Sequence, residues 1–481
     1  MTTPFKVLQI ARVTVEARTP LSLASGSYDA RFDTLLVRDA NDLPALPGTS
    51  IAGVLRRVFE SRFGAERTTS LFGLPGGTSD SVADGFEASR LWVSWAHVHA
   101  ADNQPIETFR LEGVGSDPIL NLLQMDQPLQ RDNVRIDGDT GAVDGRGKFS
   151  RAAVPRGTRF TFEVSLASDV SVNPDWSDLL SVIANGFRIG GATRRGLGRV
   201  CVKTVSSQTF ELDKDDQYQA YCNYQRDPAA VAAASKDISS TIARSPTGAH
   251  ILELQVKAVD YVRIGQSKEP LALGHAARPP HQIPRHETVI VWSKSQGATL
   301  QELRVVVPGS SIKGALRHRV QFHLNCLNGS FADHAPADRM PDEPSLKSVF
   351  GFVADRSRGE NGKAQAGIIS IDDVFLDKDP IIGLMMHNSL DRFSQGTRDG
   401  VLFSEELLFE TPLSLCIEIS AAAQIDPKVR EALRLALDDF SEGRLAIGGG
   451  AAKGHGYFKK NVALRDHTKS RSWTQFFGGC S

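Results

Sequence analysis

The element pattern of this 481-residue chain predicts an α+β protein built twice over, each half a βαββαβ unit of the ferredoxin-like (RRM-like) kind. Three observations carry the prediction. Pro47-Gly48-Thr49-Ser50-Ile51-Ala52-Gly53-Val54-Leu55-Arg56 returns as Pro308-Gly309-Ser310-Ser311-Ile312-Lys313-Gly314-Ala315-Leu316-Arg317, at a spacing of 308 − 47 = 261. Ile189-Gly190-Gly191, with Gly196 and Gly198 behind it, returns as Ile447-Gly448-Gly449 with Gly454 and Gly456, at 447 − 189 = 258. Ile136-Asp137 ahead of Phe149 matches Leu390-Asp391 ahead of Phe403, at 391 − 137 = 254. A repeat this long is a duplicated domain, because solenoid periods lie near ~20–50 residues.

The elements follow in order. Residues 7–17 alternate as a strand. Ile51, Val54, Leu55, Val58 and Phe59 recur at helical spacing, with Thr49 or Ser50 as the expected N-cap. Residues 91–98 and 160–166 read as strands, 179–187 as a helix and 199–205 as a closing strand. The second half repeats this with 251–259, a helix through Ile312, Leu316 and Val320 (interrupted by Arg319), then 368–375, 413–420, 429–440 and 457–464. The expected domains are 1–205 and 249–465, joined by a linker over 206–248 with at most one short helix and followed by a polar tail over 466–481. A sheet covered by helices on one face leaves the other free, a surface that RNA-binding modules of this shape use.

Composition narrows the class. The chain has 41% hydrophobic and 23% charged residues, ordinary for a globular protein. No apolar run approaches the ~20 residues of a membrane span, and Met1-Thr2-Thr3-Pro4 begins no secretory signal, so a cytoplasmic location without membrane contact is expected. Cys201, Cys222, Cys326, Cys416 and Cys480 are scattered without a Cys-x-x-Cys, against a disulfide framework or zinc site. A net charge of −1 counts mildly against nucleic-acid binding by bulk electrostatics, unless basic residues gather on one face.

The motifs gather them. Gly190, Gly191, Gly196 and Gly198 let the backbone approach another chain, and consecutive amides can form an anion-binding concavity. Arg188, Arg194, Arg195 and Arg199 set guanidinium groups beside it, suited to phosphate. Gly448, Gly449, Lys453, Gly454 and Gly456 form the second copy, electrostatically weaker because Ala452 replaces Arg194. Gly48, Thr49 and Ser50, like Gly309, Ser310 and Ser311, open helices whose free amides favour an anion, with Arg56, Lys313 and Arg317 following. Packing and turn chemistry alone would account for each loop taken singly.

Leu71-Phe72-Gly73 and Val349-Phe350-Gly351 add a further matched motif. The ordered series Pro-Gly-[Ser/Thr]-Ser-Ile-x-Gly-x-Leu-Arg, Phe-Gly, Ile/Leu-Asp hairpin and Gly-Gly-x-x-x-[Arg/Lys]-Gly-x-Gly, present twice, resembles the RAMP superfamily. More narrowly it resembles the repeated backbone subunits of type III (Csm and Cmr) CRISPR RNA-targeting effector complexes. The resemblance implies a thumb β-hairpin inserted in each half, near 106–157 and 378–412, with Ile136 and Leu390 as wedges. It also implies guide crRNA, single-stranded target RNA and other effector subunits as partners.

It further implies target cleavage by an Asp on the loop before the Pro-Gly-Ser-Ser helix, here Asp33 in Asp33-Thr34-Leu35-Leu36-Val37-Arg38-Asp39, with a divalent metal, Mg2+, as cofactor and Asp33 as a possible ligand. RNA carries its own nucleophile, the 2′-OH, so a carboxylate of ordinary pKa ~3.9 serves better to orient that group than to deprotonate it. Glu287 is the matching residue of the second half, with His275, His281 and His286 nearby and Asp29 a lesser candidate in the first. The alternatives are a non-catalytic crRNA-binding filament subunit and a precursor-crRNA processing endoribonuclease.

Overall fold

A computed structural model describes residues 5–26, 34–74, 88–110, 113–136, 143–227, 237–243, 248–272, 279–293, 297–331, 344–352, 364–376, 379–421, 424–461 and 471–478. In the first half β1 (Val7–Ala17), α1 (Gly48–Phe63), β2 (Leu91–Val93), β3 (Arg159–Ser168), α2 (Pro174–Ala184) and β4 (Arg199–Glu211) form a mixed α/β layer pair. The sheet runs β2-β3-β1-β4, antiparallel throughout. In the second half β5 (Ala249–Ala258), α3 (Gly309–Asn328), β6 (Ile369–Ile371), β7 (Pro412–Ser420), α4 (Pro427–Ser441) and β8 (Phe458–Lys460) repeat it as β6-β7-β5-β8. The order is the same in both halves.

Two apolar cores follow from the alternation of the strands. Val13, Val15, Phe160 and Phe162 bury one sheet face against Ile51, Leu55, Phe59, Leu179 and Ile183. Leu254, Val256, Leu415 and Ile417 do the same against Ile312, Leu316, Leu433 and Phe440. Burying such a side chain is worth about 1.5–3 kcal/mol each.

Several boundaries differ from the sequence expectation. Helix α1 starts at Gly48 behind Pro47, with no side-chain cap, because the Pro47 carbonyl accepts from the Ser50 and Ile51 amides. Helix α2 starts earlier, where Asn173 accepts from the Asp175 and Trp176 amides and Pro174 fits the first turn. Strand β4 runs on to Glu211 before a short helix over Asp215–Cys222. The tail forms a helix, Arg471–Phe477, whose Phe476 and Phe477 are buried in the second core.

Two hairpins rise from the connections before β3 and β7: Leu129–Ile136 with Val143–Ala153, and Ile381–His387 with Phe403–Phe409. A helix at Pro118–Gln124, which the sequence pattern did not suggest, precedes the first. A third hairpin, His286–Ser293 with Gly297–Val307, crosses from the second half onto the first. Its Ile290 and Ala298 join the first core, and their amides donate to Arg156 and Ala101 carbonyls at 2.8 and 2.7 Å.

That crossing corrects the expectation of a free sheet face. On the first sheet, Arg12 and Glu163 receive Tyr224 of the linker: Tyr224 donates to Glu163 at 3.0 Å and lies 5.3 Å under the Arg12 guanidinium. Arg159 stacks 4.0 Å over Trp292 of the crossing hairpin. The surface on which RRM-type modules bind RNA is thus partly covered by the chain itself.

Candidate nucleic-acid interface

Glycine shapes the loops after α2 and α4 by close approach. Gly190 has φ +90°, and a Cβ there would lie 2.4 Å from the Ser22 carbonyl; Gly448, at φ +96°, would meet the Arg263 carbonyl at 2.3 Å. The hydrogen bonds repeat as well. Gly191 and Gly198 donate to Ser22 and Pro20, as Gly449 and Gly456 donate to Arg263 and Tyr261. These four amides are consumed in folding the loops, and the loops also present charged side chains.

In the first half Arg195 projects over Phe149 of the hairpin at 5.7 Å, beside Arg151. Asn133, Arg131 and Ser310 line the same small cavity. Burial first, then the charge of Arg195, pulls Arg151 below the ordinary guanidinium range. Burial, then Arg57 and Arg188, act likewise on Arg194 and outweigh the opposing charge of Glu418. Among the described residues no carboxylate pairs with Arg151, Arg194 or Arg195. Clustered guanidinium groups without a paired carboxylate are suited to a polyanion.

The second half rebuilds the arrangement with a different charge. Lys453 lies over Phe403 at 5.0 Å, as Arg195 lies over Phe149. The hairpin pairing sets Glu405 opposite Met385 where the first half sets Arg151 opposite Arg131. Glu405 is buried, pairs with Arg263 at 3.1 Å and Lys453 at 3.3 Å, and touches His387. Burial raises its carboxyl, but the hydrogen bonds from Arg263 and Lys453 outweigh this and hold it below its ordinary value. The second cluster therefore carries less uncompensated positive charge for a reason beyond Ala452.

Other candidates are drawn into the junction between the halves. Arg188 pairs with Asp372 at 2.6 Å and Glu418 at 2.7 Å, and Arg199 also pairs with Asp372. Glu287, expected to face a bent strand, is buried against Arg131 (2.7 Å) and Arg285 (2.8 Å). Arg131 continues to Asp373 at 2.6 Å. The Asp373 carboxylate accepts from the Gly309 amide at 2.8 Å, so the start of α3 already holds an anion from its own chain. Gly48 and Gly309 are buried seats, where a Cβ would overlap the Val93 and Ile371 carbonyls at 2.0 and 2.3 Å.

Lys313 is buried, donates to the Ile369 carbonyl at 2.9 Å, and is pushed down to about 7 by burial and then by Arg194, Arg195 and Arg317. Arg56 and Arg317 are half-buried on their helices, while Thr49 is exposed. Ile136 is 46% exposed and Leu390 59%, but Phe393, on a turn held by Asp391, is 95% exposed. His281 and His286 contact Ser404 and the Glu269 carbonyl.

Asp33, Asp29 and His275 lie outside the described residues. Asp39, at the end of the Asp33 motif, accepts from the Asn41 and Leu43 amides and so fixes the turn that follows. Among the described residues no group of three or more ligating side chains could hold a metal ion, and no helix is long and apolar enough to cross a membrane.

The family model of the RAMP superfamily matches residues 14–201 and 299–459. No curated protein matches the chain. Among solved structures, Type III-B Cmr-beta bound to cognate target RNA aligns at 15% identity and TM-score 0.31, over 40% of this chain and 96% of that one. The apo state of the same assembly aligns at 15% and 0.30, over the same shares. The two matched regions span most of the sequence, and each contains its own Pro-Gly-[Ser/Thr]-Ser helix start and glycine loop: the chain belongs to the RAMP superfamily.

Proposed function

We propose that this protein is a double backbone subunit of a type III CRISPR effector complex, two ferredoxin-like units with inserted thumbs that hold guide crRNA and present complementary target RNA for cleavage. The observation that carries this reading is the pair of Arg151 and Arg195 around Phe149, without carboxylate partners among the described residues. Guanidinium groups grip successive phosphates there, and Phe149 supplies an apolar face beneath Arg195. The second half holds the same strand more loosely because Glu405 already occupies its cations.

Cleavage falls to the loop carrying Asp33. The 2′-oxygen of the target attacks the adjacent phosphorus, the bond from phosphorus to the 5′-oxygen breaks, and the 2′ proton ends on that leaving oxygen. Asp33 orients the 2′-OH for in-line attack. Glu287 has no part in the step, because its carboxylate is committed to Arg131 and Arg285.

The test is binding of guide RNA by the full chain. Arg151→Glu and Arg195→Glu are each expected to weaken it by roughly tenfold or more. Each should also flatten the slope of log K against log salt by about 0.7 for every single-strand phosphate that is no longer neutralised. Unchanged affinity and slope in both variants would remove the basis of the reading.

A further inference from the structure

Beside the turn that Asp39 fixes, the first half carries a cleft of about 260 Å³. Val114, buried in the first core, gives it an apolar wall, and Asn41, Asp42, Phe109, Arg110 and Gln124 line the rest. The size falls just under the ~300 Å³ at which pockets for drug-sized ligands begin, which suits one planar ring system. The walls are pinned. The Asn41 side-chain carbonyl accepts from the Arg110 amide at 2.8 Å, its side-chain amide donates to the Thr108 carbonyl at 3.2 Å, and its backbone carbonyl accepts from Gln124 at 3.2 Å. Arg38 ties the same turn to the end of the Pro118–Gln124 helix by donating to the Asp42 and Leu123 carbonyls.

Three side chains are left over from this network. Phe109 is 62% exposed, and no ring or cation packs on it among the described residues. The Arg110 guanidinium has no hydrogen-bond or ion-pair partner among them. Asp42 stands at φ +58°, where few non-glycine residues are found, and its exposed carboxylate reaches Arg38 at 3.6 Å. A ring face, a fork of donors and an acceptor thus border one cleft. Guanine answers all three: it stacks, its O6 and N7 accept from a guanidinium fork, and its N1–H and N2–H donate to a carboxylate. No other RNA base offers two adjacent acceptors together with two donor nitrogens.

The cleft also lies within reach of the cationic cluster. Residues 34–39 run from the hairpin base, where the Thr34 carbonyl accepts from the Ala152 amide at 3.4 Å, to the turn at Asp39. Those 39 − 34 = 5 steps span at most ~18 Å. We propose that this cleft holds one unpaired guanine base of an RNA strand gripped at Arg151 and Arg195, with Phe109 stacked on the base, Arg110 donating to O6 and N7, and Asp42 accepting from N1–H and N2–H. The assignment rests on the RNA-holding reading above and adds a base preference to it.

Fluorescence anisotropy of the full chain with labelled single-stranded RNA decamers tests this. An oligouridine decamer with one central guanosine is expected to bind roughly tenfold tighter than plain oligouridine, and a central adenosine or cytidine to gain no more than about threefold. Phe109→Ala should remove most of the guanosine gain. Arg110→Lys keeps the charge and loses the fork, so it should erase the preference while oligouridine affinity stays within about twofold. Both side chains are exposed, and the variants are expected to melt like the wild type. Equal affinity of the wild-type protein for all four decamers overturns the proposal, as does a preference that survives both substitutions. Arg151→Glu separates the two readings. If it weakens every decamer and no guanosine preference exists, the cleft assignment fails and the RNA-holding reading stands. If it changes nothing while a preference dependent on Phe109 and Arg110 persists, the cleft stands and that reading fails.

Discussion

Gly196 and Asp373, 177 positions apart (373 − 196), approach so closely that the first residue can carry no side chain: the Asp373 carboxylate fills the space a Cβ would take. The same carboxylate receives the Gly309 amide and the Arg131 guanidinium. A motif that reads as a ligand loop is thereby also the fastening between two halves.

Gly196→Ala is expected to destabilise the protein by about 1–3 kcal/mol, since φ +107° is strained for alanine and the methyl group displaces Asp373. Gly53→Ala, on the exposed face of α1 with open space around it, should instead stabilise by about 0.5–1 kcal/mol. Thermal melts of the two variants are expected to shift in opposite directions, and a Gly196→Ala melt unchanged from wild type would contradict the junction contact as a source of stability.

Arg131→Met leaves Glu287 and Asp373 buried without their shared cation, with an expected loss of about 3–5 kcal/mol. Adding Glu287→Gln and Asp373→Asn should restore much of it, because the cost lies in the orphaned charges. Denaturant unfolding measures both, and equal losses in the single and triple variants would contradict the ion network as the cause.

Lys313 gives the pH profile a definite sign. Its folded pKa of about 7 lies below the ordinary 10.5, so from about 7 to 10.5 the unfolded chain binds more protons, and stability rises with pH across that window. Lys313→Met should flatten the rise. Bound phosphate near Arg194 and Arg195 relieves the repulsion on Lys313, so RNA binding above pH 7 should take up a proton, measurable by calorimetry in buffers of different ionisation enthalpy.

Glu405→Gln releases Lys453 and Arg263 from a buried carboxylate. Guide RNA affinity is expected to rise severalfold while the thermal midpoint falls. An affinity that stays constant would place the second glycine loop away from RNA.

Asp33→Asn is expected to abolish target cutting by the assembled complex while leaving guide binding within about twofold, since the amide keeps the shape and loses the charge. Mapping product ends checks the chemistry: attack by the 2′-OH leaves a 2′,3′-cyclic phosphate and a 5′-hydroxyl.

The sequence by itself determined the duplication and the periodicities that fix α1, α3 and the central strands, because these rest on local spacing and on glycines at positive φ. It also singled out both loops and the hairpin register. Tertiary structure alone decided what the charges do. Arg151 and Glu405 occupy the same place in the two copies, yet nothing local in either segment tells that one faces an open cluster of cations and the other a buried pair with Arg263.

The crossing hairpin was legible only as the β-branched run at Val289-Ile290-Val291 and the valines at 305–307, without a sign of which half they would cover. Glu287 matched Asp33 by spacing and still became a structural charge, since its surroundings come from Arg131, some 156 positions away (287 − 131). Electrostatic environment depends on distance in space, and sequence separation carries no information about that between segments brought together only by folding.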